Sequence, residues 1–242
     1  TREVAARYPD VRVIPIPDFT HGRSRNLGVR EARGELVAFL SQDALPADSG
    51  WLAALSAPFS DRQIAAVYGR QLPRPGANPM EQFFLQTWFP NGELQKRSRK
   101  GQEPVTRELA FFSNVNAEVR REILLRHPFD ESLIMSEDHQ LAKVLLEAGH
   151  AIAYQPRASV LHSHHYSLSF VFRRYFDSIY SMRKIFSGHS LKTSSSMGIR
   201  YIGRETTFLL RRHPLWLPYY FFYNLAKTGG TLAAHGADHL PR

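Results

Sequence analysis

The run Glu35-Leu-Val-Ala-Phe-Leu40 constrains the fold more than any other stretch of this chain. After Glu35 it is continuously apolar and of strand length, which is the pattern of a strand buried on both faces. Ser24 can cap a helix ahead of it that runs to about Ala32, with Gly34 just past the end. Val11-Arg-Val-Ile-Pro-Ile16 reads as an earlier strand. A helix from about Asp48 to Ala57 and a strand over Ala65–Gln71 follow. Strands alternating with helices in this way predict βαβ units, an α/β fold and a mainly parallel sheet. In such sheets ligands bind beyond the carboxyl ends of the strands. The loop Ser41-Gln-Asp-Ala-Leu-Pro46 is therefore the first place to look for chemistry.

Farther along, Met80–Trp88 suits an amphipathic helix, and Gln95–Arg107, polar and basic, a mobile surface loop. Leu109–Ser113 reads as a strand and Asn116 as the cap of a helix to about Arg126. Ser136 caps a helix with apolar Leu141, Val144, Leu145 and Ala148, closed by Gly149. Ala151–Tyr154 and Ser159–Leu161 read as short strands around Pro156. From Leu168 the pattern turns helical and aromatic, with further helices over about Gly198–Arg212 and Leu215–Ala234. The division expected is an α/β domain over 1–167 and a helical, basic-aromatic appendage over 168–242.

Charge divides the chain near the same place, at residue 150. Residues 1–150 hold 19 Lys/Arg against 19 Asp/Glu, while residues 151–242 hold 12 against 3, so the net charge of +9 lies in the second part. A basic tail suits an anionic partner such as a lipid surface, a nucleic acid or a phosphorylated substrate, and a solvated basic face is the plainer reading. No cysteine is present, which excludes disulfides, thiolate metal sites and a cysteine nucleophile. No stretch reaches the roughly 20 apolar residues that span a bilayer. The nearest, Pro214 to Ala226, is interrupted by Pro218.

Four groups of residues could carry chemistry. Asp43, at a strand's carboxyl end, could hold a hard divalent cation or simply serve the turn before Pro46. Glu137-Asp138 could supply a general base or complement the dipole of its helix. His162-Ser-His164-His165 follows a strand and suits a metal or phosphate contact, with 162 and 164 on one face and His165 turned away. Arg23, Arg25 and Asn26 lie at a helix N-terminus, where an anion is favoured, although surface arginine is common.

The order and spacing of these pieces resemble family 2 glycosyltransferases. Gly22-Arg-Ser-Arg-Asn-Leu-Gly-Val-Arg-Glu-Ala-Arg-Gly-Glu-Leu-Val-Ala-Phe-Leu40 is similar to that family's run ahead of its metal-binding Asp-x-Asp motif. Here Ser41-Gln42-Asp43 stands in that motif's place, so its first carboxylate is a serine. Phe112-Ser-Asn-Val-Asn-Ala-Glu-Val-Arg-Arg121 resembles the acceptor-side segment, Glu137-Asp138 the Glu-Asp motif, and Val160-Leu-His162 the later strand whose histidine completes the metal shell. Ser-Gln-Asp-Ala, Tyr68-Gly-Arg-Gln-Leu-Pro73 and His162-Ser-His-His-Tyr-Ser167 look like the rhamnosyltransferase branch.

The resemblance implies a GT-A fold, Rossmann-like, and an inverting transfer of a sugar, rhamnose from dTDP-rhamnose, onto a saccharide or lipid-linked acceptor in surface polysaccharide synthesis. It implies Asp138, with Glu137, as the catalytic carboxylates. Asp43, His162 and His164 would hold Mg2+ or Mn2+. Arg25, Asn26, Gln42, Asp43, Arg70, Gln71 and Asn114 would contact the nucleotide-sugar donor. It also implies nucleotide-binding strands ahead of Thr1, since Thr1-Arg-Glu-Val reads as mid-domain rather than as a signal peptide. Arg211-Arg-His-Pro-Leu-Trp-Leu-Pro-Tyr-Tyr suits an anionic membrane surface, the inner face of the cytoplasmic membrane, or equally the packing face of a helical appendage. Two other readings stay open: an inactive glycosyltransferase-like scaffold, and a nucleic-acid-binding protein. The second is not expected, because the first 150 residues are charge-neutral and no nucleic-acid motif is present.

Overall fold

The computed structural model describes residues 2–186 and 191–237. Helix α1 (Arg2–Ala5) leads into residues 11–16, which form no strand. Val11 and Val13 are half exposed, and no strand pairs with them among the described residues. The strand expected there lacks the neighbour that would satisfy its backbone N–H and C=O groups. Helix α2 (His21–Glu31) starts ahead of Ser24, because Thr20 is its cap and its hydroxyl accepts the Arg23 N–H at 3.1 Å. Then come β1 (Leu36–Leu40), β2 (Leu45–Pro46), α3 (Trp51–Ser56), β3 (Ile64–Leu72), α4 (Pro79–Trp88), β4 (Gln95–Arg97), β5 (Asn116–Arg120) and α5 (Arg121–Arg126). They are followed by α6 (Glu137–Glu147), β6 (Ala151–Leu161), α7 (Leu168–Ile185), α8 (Leu191–Arg212) and α9 (Leu217–Gly236).

The sheet runs β1-β5-β3-β6-β2, with β4 also on β6. β1, β3 and β6 point one way, so most of the sheet's residues share a direction. Only the β3–β6 pair is parallel between neighbours, because β5 runs antiparallel between β1 and β3. The sheet is thus mixed. Alternate residues of β3 serve two cores. Tyr68 joins Val119, Leu145 and Ile152 under α2, α5, α6 and α7, and Val67 joins Leu55 and Phe59 under α3. Helix α7 lends Met182, Ile185 and the adjoining Phe186 to the first core, so the chain packs continuously across residue 167.

Three local expectations differ from the structure. Asn116 opens β5 instead of a helix: its side chain faces α3 and accepts the Trp51 indole N–H at 2.7 Å, while Ala117 and Val119 fill the opposite core. Leu109–Ser113 is an irregular turn held by aromatic packing, with Phe112 buried and Phe111 stacked on Trp88 at 5.1 Å. The segment 95–107 is pinned at its start, where β4 pairs with β6. The Arg97 guanidinium there donates to the carbonyls of Leu109 and Phe111 and to the Tyr68 hydroxyl.

Candidate active site

β1, β3 and β6 deliver their carboxyl ends to one edge of the sheet, and the start of β5 lies there too. The Ser41 N–H bonds the Val115 carbonyl, and the His162 N–H bonds the Leu72 carbonyl, which ties the loops of that edge together. His162 is the first residue past β6 and is buried. Chain alternation puts His164 on its side and leaves His165 exposed. Both rings face the Asp43 carboxylate: Oδ1 lies 3.5 Å from His162 Nε2 and Oδ2 3.6 Å from His164 Nδ1. The three ligand atoms lie within 4.8 Å of one another.

Gln71, at the end of β3, sets the state of this cluster. Its Oε1 lies 2.8 Å from His162 Nδ1, so that nitrogen carries the proton and Nε2 presents a lone pair toward Asp43. Burial and the neighbouring His164 push His162 down to about 4, against the pull of Asp43, so the ring is neutral at neutral pH. Burial lowers His164 as well. Two neutral imidazoles and a carboxylate are a donor set for a divalent cation.

A chain of hydrogen bonds leads from this cluster to the second group. Gln71 Nε2 donates to Ser113 Oγ at 3.0 Å, and the next residue, Asn114, donates its backbone N–H to Asp138 Oδ2 at 3.4 Å. Asp138 Oδ1 is taken by the His139 N–H at 2.9 Å and lies 3.0 Å from the His139 ring. Burial alone would raise Asp138, but the His139 bonds and the charge of Arg25 outweigh it and hold the carboxyl below its ordinary value. Asp138 is therefore an ionised carboxylate with Oδ2 turned toward Asn114. Asn114 is 2% exposed, and neither its Oδ1 nor its Nδ2 has a partner. An unpaired buried amide is costly and uncommon.

Glu137 has a different position. It is buried and bonded to the Arg25 guanidinium. Burial and the charge of Asp138 push it up to about 7, against the pull of Arg25. The residue before the pair, Ser136, has φ of 67° and makes no side-chain cap, contrary to the capping expected of it. It is the one non-glycine in the left-handed region among the described residues, and such strain clusters at functional sites.

The remaining expected donor contacts divide. Arg25 is engaged by Glu137 and packs over Phe129. The Asn26 amide is buried and bonded to the Phe129 backbone on both sides, at 2.9 Å each, and to Glu131. These two residues anchor α2 to the 129–137 segment. Gln71 is bonded to His162 and Ser113. Gln42 is exposed on the Asp43 loop, and Arg70 donates to the Phe89 carbonyl at 3.3 Å.

Arg74 was not singled out from the sequence. Its guanidinium donates to the Asp43 carbonyl at 2.5 Å, beside the imidazoles. Its signal was present, a basic residue just past the end of β3, but it was hidden in a Pro-Gly loop. Arg174, stacked over Tyr166 at 5.3 Å, adds a second positive charge that acts on both histidines.

Residues 1–126 match the model of the family described as glycosyl transferase family 2. The O-antigen chain rhamnosyltransferase WbaN of Salmonella anatum is 32% identical over 231 residues, which is 94% of this chain and 73% of that protein. RfbN of Salmonella typhimurium, also an O-antigen chain rhamnosyltransferase, is 34% identical over 217 residues, covering 88% and 69%. In structure, the chain is similar to the mannosyltransferase PcManGT of Pyrobaculum calidifontis, solved with GDP-Man and Mn2+. The TM-score is 0.58 at 15% identity, over 96% of this chain and 72% of that one, a likeness of fold.

Proposed function

Because the chain belongs to glycosyl transferase family 2, we propose that this glycosyltransferase moves rhamnose from dTDP-rhamnose onto a saccharide or lipid-linked saccharide, with inversion, in surface polysaccharide synthesis. The observation that carries the reading is the bonded line from Asp43, His162 and His164 through Gln71 and Ser113 to Asn114 and Asp138. It joins a cation-type donor set to an ionised carboxylate at the edge of the sheet where ligands bind. Rhamnose is supported by the names of the two relatives and by the Ser41-Gln42-Asp43 and Tyr68–Pro73 segments. A cytoplasmic location at the inner face of the membrane follows from a lipid-linked acceptor and from the basic C-terminal third.

Asp43, His162 and His164 would hold the cation, Mn2+ or Mg2+, and imidazole donors favour Mn2+ of the two. Bound there, the cation supplies positive charge that offsets the charge of the departing diphosphate. Arg74 adds a guanidinium on the same side, a contact suited to phosphate oxygens. Asp138 Oδ2 takes the proton of the acceptor hydroxyl while His139 keeps Oδ1 fixed. The hydroxyl oxygen then bonds to the anomeric carbon as the carbon–phosphate oxygen bond breaks on the opposite face. The Asn114 amide, without a protein partner, would bond to a sugar hydroxyl near the reacting centre. Arg25 positions Glu137, and through it the first turn of α6.

Asp138→Asn tests the base. Turnover should fall by about 10²–10⁴-fold while donor affinity, read by calorimetry, changes little. Undiminished turnover would remove Asp138 from the reaction.

A further inference from the structure

Helix α9 is apolar on two faces. One face is packed on α7 so closely that a Cβ at Gly230 would lie 2.3 Å from the Phe172 carbonyl oxygen. The other carries Pro218, Phe221, Phe222, Leu225 and Leu232, at helical spacing on one side, and all are exposed. Phe221 is 61% exposed and Leu215, at the corner between α8 and α9, 94%. A helix apolar on both sides is normally covered on both, and a continuous exposed apolar stripe marks an interaction surface.

Charge identifies the cover. Residues 206–237 contain no Asp or Glu. Arg211 and Arg212 are exposed immediately before the Leu215–Trp216 corner. Arg200 and Arg204 continue the basic face of α8 along the groove that it forms with Phe83 of α4. Lys227, the only cation on α9, is turned inward to Glu205. The corner thus sets two exposed arginines, Leu215 and Trp216 at the start of the apolar stripe. This is the chemistry of a helix lying in the headgroup layer of an anionic bilayer. No helix among the described residues is long and apolar enough to cross a membrane.

We propose that the α8–α9 corner and the outer stripe of α9 dock on an anionic phospholipid bilayer. The inference rests on the reading of a lipid-linked acceptor, and it names the surface that would bring the active site to it.

Flotation with phosphatidylglycerol–phosphatidylcholine vesicles, without donor or acceptor, tests the proposal. The protein should float with these vesicles at low salt and hardly at all with phosphatidylcholine alone. Leu215→Glu combined with Phe222→Glu, and separately Arg211→Glu with Arg212→Glu, should each cut partitioning at least about tenfold. Both should leave the thermal midpoint near that of the parent, because the altered side chains are exposed. Protein that stays at the bottom with anionic vesicles would overturn the proposal. So would equal flotation of parent and variants, or a dimer by sedimentation that Phe221→Glu with Phe222→Glu dissociates, since the stripe would then be covered by a second copy. Transfer to a water-soluble acceptor should be unchanged in the corner variants. Flotation without any transfer would count against the enzymatic reading alone, and transfer without flotation against the docking surface alone.

Discussion

Gln71 holds two parts of the site together with one amide: its oxygen orients His162 and its nitrogen reaches Ser113. Gln71→Leu should leave His162 free to take the other tautomer and weaken Mn2+ binding about 10–100-fold, read by titration calorimetry. Unchanged affinity would mean that His162 is not a ligand. The sequence shows Asp43, His162, His164 and Asp138 readily, because each stands beside a strand end or helix start at a recognisable spacing. It does not show what Arg25 and Asn26 do. A guanidinium and an amide at a helix N-terminus suit a phosphate as well as they suit Glu137 and the Phe129 backbone, and the bonds to the latter become visible only with the fold of the 127–137 segment. Asn114 is visible as a polar residue in a motif, but its lack of any protein partner can be seen only once the residues around it are placed.

Among the elements, β3 and β6 leave no room for a side chain at Gly69, where the register shifts. A Cβ at this position would lie 2.1 Å from the Ala158 carbonyl oxygen and 2.2 Å from Asn116 Nδ2. Gly69→Ala should therefore force the strands apart and destabilise the fold by about 1–3 kcal/mol, measured by denaturant unfolding. An unchanged midpoint would mean that the sheet is looser there than described. In the C-terminal helices, Lys227 Nζ lies 3.2 Å from Glu205 Oε2, with the side chains 9% and 1% exposed. The same ammonium lies over the rings of Tyr175, Tyr201 and Tyr223. Lys227→Met would leave the Glu205 carboxylate buried and unpaired, at a cost of about 3–5 kcal/mol. Adding Glu205→Leu should recover much of the loss in thermal midpoint, and no recovery would show that the packing of Lys227 matters more than its charge. The sequence marks strands by apolar runs, so β1, β3 and both halves of β6 are legible in it. β5 begins with Asn116, which looks like a helix cap, and only its place between β1 and β3 makes it a strand. Val11–Ile16 has a strand's pattern but no neighbouring strand among the described residues, and pairing decides a strand more than pattern does.

For the molecule as a whole, the mixed sheet gathers the ends of three strands and the start of α6 at one edge; α7 joins its core, and α8 and α9 form a smaller core with Met80 of α4. Its distribution of charge follows this arrangement. Asp43 and Asp138 lie in the charge-neutral first 150 residues, while His162, His164 and the surface proposed to meet the lipid lie in the basic remainder. The most direct test of the account is transfer by the purified protein with a panel of nucleotide sugars, with and without Mn2+, followed by the anomeric configuration of the product. Release of nucleotide from dTDP-rhamnose should be stimulated by metal and exceed that from other donors, and the product should have inverted configuration. Release that is indifferent to metal, a product with retained configuration, or no transfer from any donor in the presence of saccharide and lipid-linked acceptors would contradict the account.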